Sequence, residues 1–81
     1  MKVAVKLFAA ARDLVGAPEA VVDAAPGATV GDVRRRLAVQ CPELAPLAAR
    51  SLLAVNAEYA DDATPLSEGD EVALIPPVSG G

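Results

Sequence analysis

Residues 2–7, Lys-Val-Ala-Val-Lys-Leu, alternate strictly: Val3, Val5 and Leu7 fall on one side, Lys2, Ala4 and Lys6 on the other. A period of two with one apolar set describes a strand buried on a single face. An 81-residue chain has room for one compact core. The rest of this same domain therefore has to cover that face. Phe8 follows in phase with the polar set, so its ring is expected outside the main core.

The remaining pattern supplies the cover. Ala9 to Val15 reads as a short helical turn closed by Gly16 and Pro18, and Glu19 to Asp23 as a second strand returning beside the first, broken by Pro26-Gly27. Thr29 is a good helix N-cap, and Asp32 three residues on completes a capping box with Asp in place of Glu. The helix is expected from Val30 to about Gln40, with Val30, Val33, Leu37 and Cys41 as its buried stripe, and Pro42 ends it. A second short helix over Glu43 to Arg50 is expected to be interrupted by Pro46. Ser51 to Val55 reads as a third strand, Asn56-Ala57 as a turn, and Glu58 to Ala60 as a short return. Asp61 to Asp70 reads as a polar loop, and Glu71 to Ile75 as the last strand with Val72 and Leu74 inward. The fold class is α+β: a ubiquitin-like β-grasp, a mixed sheet of four to five strands packed on one main helix. Residues 1–75 are expected to form this domain, and residues 76–81 a flexible C-terminal tail.

Composition narrows the function. A net charge of −4 gives no basic footprint for nucleic acid and no polybasic membrane patch. No apolar run reaches the roughly 18–20 residues of a membrane helix. Met1-Lys2 leads straight into the strand pattern, so no secretory signal is expected. A single cysteine fits a reducing compartment, and the expectation is a cytoplasmic protein. The chain has no histidine, which removes the commonest general base and metal ligand and every Ser-His or Cys-His arrangement. Catalysis by this chain alone is not expected.

The chemistry is expected at the end of the chain. Pro76-Pro77 cannot continue a ladder and favours extended polyproline geometry. Six residues, Pro76-Pro77-Val78-Ser79-Gly80-Gly81, reach roughly 20 Å. Gly80 and Gly81 lack Cβ, so a terminal carboxylate can enter a channel lined closely by another protein's backbone. A carboxylate can be activated as an acyl-adenylate and converted to a thiocarboxylate, steps that bulky neighbours would block. A second feature is apolar. Phe8 and Tyr59, the only aromatics, lie outside the expected core, and Ile75 and Ala73 face away from the inward set of the last strand. Together they read as a protein-docking surface. Arg34-Arg35-Arg36 reads as a solvated helix face opposite Val33 and Leu37, and Asp61-Asp62 as surface solvation. Cys41 reads as a small buried hydrophobe, and Arg12 as a surface residue on an exposed turn.

Four stretches resemble one family. They are Lys2 to Gly16 (KVAVKLFAAARDLVG), Leu53-Ala54-Val55-Asn56, the run Pro65-Leu66-Ser67-Glu68-Gly69-Asp70-Glu71-Val72-Ala73, and the ending Pro76-Pro77-Val78-Ser79-Gly80-Gly81. Together they resemble the small subunit of molybdopterin synthase over essentially the whole chain. The specific part is P-L-x-x-G-D-E-V followed by P-P-V-S/T-G-G, whereas P-L-x-x-G-D alone marks only the wider group of sulfur carriers. The resemblance implies that an ATP-dependent activating enzyme adenylates the Gly81 carboxylate and that a persulfide source converts it to a thiocarboxylate. Pro77, Val78, Ser79 and Gly80 then insert with it into the large subunit, where sulfur passes to cyclic pyranopterin monophosphate. Phe8, Tyr59 and Ile75 fall at the family's apolar partner-binding positions; Ile75 is smaller than the aromatic often found there. No cofactor or metal is expected on this chain, and ATP belongs to the activating enzyme. Two small subunits at the ends of a large-subunit dimer make the expected heterotetramer.

Other readings stay open on the sequence. One is a sulfur carrier for thiamin, cysteine or tRNA thiolation. Another is a ubiquitin-like modifier joined to lysines through Gly81. A third is an interaction domain with no tail chemistry.

Overall fold

The computed structural model describes residues 1–77. Its elements are β1 (Lys2–Leu7), α1 (Ala9–Val15), β2 (Glu19–Asp23), α2 (Val30–Gln40), a 3-10 turn (Pro42–Leu44), α3 (Ala45–Arg50), β3 (Leu52–Val55), β4 (Glu58–Ala60) and β5 (Val72–Ile75). The five strands form one sheet in the order β2-β1-β5-β3-β4. β1 and β5 run parallel, and the other neighbours are antiparallel. This is the mixed sheet on one main helix expected from the sequence.

The alternation does what a period of two requires. Val3, Val5 and Leu7 of β1, Ala20 and Val22 of β2, Leu53 of β3, and Val72 and Leu74 of β5 are buried on one face of the sheet. Val30, Val33 and Leu37 of α2 close that layer, joined by Leu44 and Ala48. Each fully buried Val or Leu contributes about 1.5–3 kcal/mol of transfer free energy.

α2 starts where its cap dictates. Thr29 Oγ1 accepts from the Asp32 amide at 3.3 Å, and the Thr29 amide donates to Asp32 Oδ2 at 2.9 Å. The next orphan donors of the helix go to the long loop before β5. Val30 N–H donates to Thr64 O and Gly31 N–H to Asp62 O, both at 2.9 Å. α1 ends on Gly16, whose φ of 76° is the left-handed conformation glycine adopts without penalty.

Several readings need correction. Pro46 does not interrupt a helix. It lies in the first turn of α3, where the amide it lacks would have no intrahelical partner, and Pro42–Leu44 forms the separate 3-10 turn. The stretch Asp61–Asp70 is not wholly polar surface, because Leu66 is buried in the core and its amide donates to Ala28 O at 2.8 Å. Arg34 is not part of a solvated face: its side chain is only 19% exposed, and its guanidinium reaches Asp62, Ala48 and Ser51. Asp61-Asp62 does more than solvate. Asp61 Oδ1 accepts from the Ala63 amide and the Thr64 hydroxyl, while Asp62 holds Arg34. Cys41 is half-buried against the core, and burial pushes its thiol pKa up.

Candidate docking face at the end of the sheet

Pairing across the strands puts directly opposed residues on the same face. On the face away from α2, Lys6 of β1 lies beside Ala73 of β5, Ala73 beside Ala54 of β3, and Ala54 beside Tyr59 of β4. One step along, Ile75 pairs with Leu52. Phe8 follows Leu7, which pairs with Leu74, and so reaches the level of Ile75. An open groove of about 610 Å³ on this face is lined by Lys6, Phe8, Ala54, Asn56, Ala57, Tyr59, Glu71, Ala73 and Ile75, with Leu52 just outside it.

Phe8, Tyr59 and Ile75, widely separated in sequence, therefore line one groove. Phe8 is 47% exposed and Tyr59 69%. The small side chains of Ala54 and Ala73 form its floor between them. Rings on the rim above a shallow apolar floor form a surface that loses water favourably when covered by another apolar surface. The chain leaves from this site, since Pro76 and Pro77 follow Ile75 directly. The expected tail residues Val78, Ser79, Gly80 and Gly81 lie outside the described residues.

Polar contacts fix the opposite end of the groove. The β3–β4 turn has positive φ at both Asn56 and Ala57, as a type I′ hairpin turn requires. The Asn56 amide donates to Glu71 O at 2.8 Å, the Glu71 amide to Asn56 Oδ1 at 3.0 Å, and Asn56 Nδ2 to Asp70 Oδ1 at 3.1 Å. Asn56 thereby ties the turn to the start of β5. The sequence marks Asn56 as a turn residue and as the end of the Leu53-Ala54-Val55-Asn56 stretch, and its hydrogen-bonding side chain is the one signal for this tie. The Ser67 amide, with help from Asn56, holds the Asp70 carboxyl below its ordinary range. Lys6 Nζ lies 2.5 Å from Glu71 Oε1, and the hydrogen bond and charge of Glu71 raise the Lys6 pKa.

A second open groove, of about 570 Å³, borders the 24–28 loop beside Asp23, Asp32 and Arg36. Its two carboxylates are already engaged, Asp23 with Lys2 and Asp32 with Thr29 and Arg35, and no aromatic lines it. Among the described residues no group of three or more His, Cys, Asp or Glu could hold a metal ion. None of their helices is long and apolar enough to cross a membrane.

A model of the ThiS family matches residues 5–81. This chain belongs to the ThiS family. A curated relative is the molybdopterin synthase sulfur carrier subunit of Escherichia coli K12. It is 42% identical over 79 residues, spanning 95% of this chain and 96% of the relative. Among solved structures, SAMP1 of Haloferax volcanii superposes with a TM-score of 0.87 at 32% identity, covering all of both chains. A Helicobacter pylori chain, solved as a protein–protein complex of subunits 1 and 2 of molybdopterin-converting factor, superposes with a TM-score of 0.70 at 26% identity, also covering all of both. The resemblance drawn from the tail and the P-L-x-x-G-D-E-V run thus holds over the whole length of this ThiS family member.

Proposed function

We propose that this chain is a sulfur carrier in molybdenum cofactor biosynthesis, working in the cytoplasm, with Gly81 as its reactive residue. The observation that carries the reading is positional. Ile75 lines the docking groove, and the residues that follow it are Pro76-Pro77-Val78-Ser79-Gly80-Gly81. A surface covering the groove therefore stands beside the root of the tail.

In this reading the Gly81 carboxylate attacks the α-phosphorus of ATP on an activating enzyme and displaces pyrophosphate. A persulfide sulfur then attacks the acyl carbon and AMP leaves. Reductive cleavage of the sulfur–sulfur bond by a thiol frees the thiocarboxylate. Pro77, Val78, Ser79 and Gly80 carry the loaded end into a large subunit, where sulfur passes to cyclic pyranopterin monophosphate. Phe8, Tyr59 and Ile75 hold the partner while this happens. The large-subunit partner is supported by the Helicobacter pylori complex, and the carrier role by the name of the Escherichia coli relative. Tethering raises the effective concentration of the donor at the acceptor, and the pathway releases no free sulfide.

Intact-mass measurement before and after incubation with ATP, the activating enzyme and a sulfur donor tests this. The expected product is heavier by one sulfur less one oxygen. An unchanged mass, or full cofactor synthesis in cells by a chain lacking Gly81, overturns the reading. The likeness to SAMP1, whose name in a second structure is small archaeal modifier protein 1, favours a second reading as a protein modifier. Isopeptide-linked Gly-Gly remnants on other proteins' lysines would mark it.

A further inference from the structure

We infer that Leu52 belongs to the docking footprint and that the footprint stops at the Lys6–Glu71 ion pair. The partner then covers Phe8, the point where the chain leaves β5, and the β5-β3-β4 part of the outer face, and leaves Val21 on β2 in water. This rests on the proposed sulfur-carrier reading and commits to its large subunit as the occupant.

Leu52 is 57% exposed and pairs directly with Ile75, so it extends the apolar row on the side away from Phe8. Ile75 is the last residue of β5. Phe8 and Leu52 therefore bracket the point where the chain leaves the sheet. Beyond Pro77 there remain four residues, 78–81, which reach at most about 13 Å. A partner that receives Gly81 must bring the mouth of its site close to Ile75, and the surface around that mouth then rests on both flanking side chains.

Val21, 46% exposed, is the contrasting case. It pairs with Ala4 on the same face, but charge surrounds it. Lys2 Nζ lies 2.8 Å from Asp23 Oδ1 on one side. Lys6, paired with Glu71 and also attracted by Glu19, separates it from the groove. Covering Val21 as well would bury the Lys2–Asp23 pair and close off from water the far side of the Lys6–Glu71 pair at the groove's edge, and the attraction of such pairs in water is too weak to offset that cost.

The test is calorimetric titration of the cognate large subunit with the full chain and three variants, Leu52→Asp, Val21→Asp and Phe8→Asp. All three positions are exposed, and thermal unfolding confirms that each variant is folded. The expected result is a loss of affinity of at least about ten-fold for Leu52→Asp and for Phe8→Asp, against a change within about two-fold for Val21→Asp. Unchanged affinity in Leu52→Asp beside a loss in Phe8→Asp overturns the inference and leaves the sulfur-carrier reading standing. A ten-fold loss in Val21→Asp overturns the boundary at Lys6. Unchanged affinity in all three overturns both the inference and the docking role given to this face.

Discussion

Arg34 Nη2 lies 2.9 Å from Asp62 Oδ1, while Arg34 Nη1 donates at 2.6 Å to both Ala48 O and Ser51 O. One guanidinium thus fastens α2 to the end of α3 and to the long loop before β5. Its planar fork serves acceptors in three directions, which an ammonium cannot do. Arg34→Ala is expected to destabilise the fold by about 2–4 kcal/mol, because it strips two carbonyls and a carboxylate of their donor. Arg34→Lys is expected to recover less than half of that. Urea unfolding of the three proteins measures both.

The same loop presses on Gly31. A Cβ placed there would meet Asp62 Cβ at 3.0 Å and Asp62 O at 3.1 Å. Asp62 has little freedom to retreat, since its carbonyl accepts from the Gly31 amide and its carboxylate holds Arg34. In an open helix interior Gly→Ala would stabilise by about 1 kcal/mol. Here the crowding outweighs the propensity, and Gly31→Ala is expected to lose about 1 kcal/mol net. A raised midpoint in thermal or urea unfolding would contradict this.

At the β3–β4 turn the strain can be relieved. Ala57 has a φ of 69°, a conformation costing an L-residue roughly 1–2 kcal/mol, and the neighbouring position is the asparagine that type I′ turns favour. Ala57→Gly removes that cost but adds backbone entropy to the unfolded chain, about 0.4–1 kcal/mol. The balance predicts a stabilisation of about 0.5–1 kcal/mol, read as a higher urea midpoint with an unchanged slope.

Much of this architecture is legible in the residues. β1 follows from a period of two, and the start of α2 from Thr29 and Asp32. The exposed placement of Phe8 follows from its phase, and the outward turn of Ile75 from the parity of β5. What escaped shares one cause: a role set by a neighbour far along the chain. Arg34 is off the apolar stripe of α2, and only the packing of α3 and Asp62 against it turns a polar face into a clamp. Leu66 stands alone among polar residues, so no periodicity marks it as core. Leu52 was available in principle, since a period of two places it with Ala54 and opposite Leu53. Its meaning needed the Ile75 pairing, which sequence spacing does not reveal.

Stability against pH should show two edges with known signs. The carboxyls of Asp23, Asp32 and Asp70 are held below their ordinary range, chiefly by Lys2, by the Thr29 amide and by the Ser67 amide respectively. A depressed folded pKa contributes stability above the unfolded value of about 4, and the contribution is lost as pH falls through the folded value. Lys6 is raised from 10.5 by its hydrogen bond with Glu71, so its contribution is complete below that value and is lost as pH rises past it. A plateau between these edges is expected. Asp32→Asn should make the acid edge shallower, leaving the shares of Asp23 and Asp70, and Glu71→Gln should weaken the alkaline one, each leaving the other unchanged in pH-dependent thermal unfolding.

The two aromatics on the groove should not matter equally to docking. Phe8 lies at the level of Ile75, at the root of the tail, with Leu52 on the far side of Ile75. Tyr59 lies on β4, the edge strand, and is the more exposed ring. Binding energy concentrates where side chains become fully dry near the centre of an interface, while rim residues mainly exclude water. A surface placed over the tail's root makes Phe8 central and Tyr59 peripheral. Phe8→Ala is therefore expected to weaken the proposed complex with a large subunit by about 2 kcal/mol or more and Tyr59→Ala by about 1 kcal/mol or less. Both rings are exposed, so neither change should move the unfolding midpoint greatly. Equal losses, or a larger one at Tyr59, would place the centre of the interface over β4 and away from the departing chain.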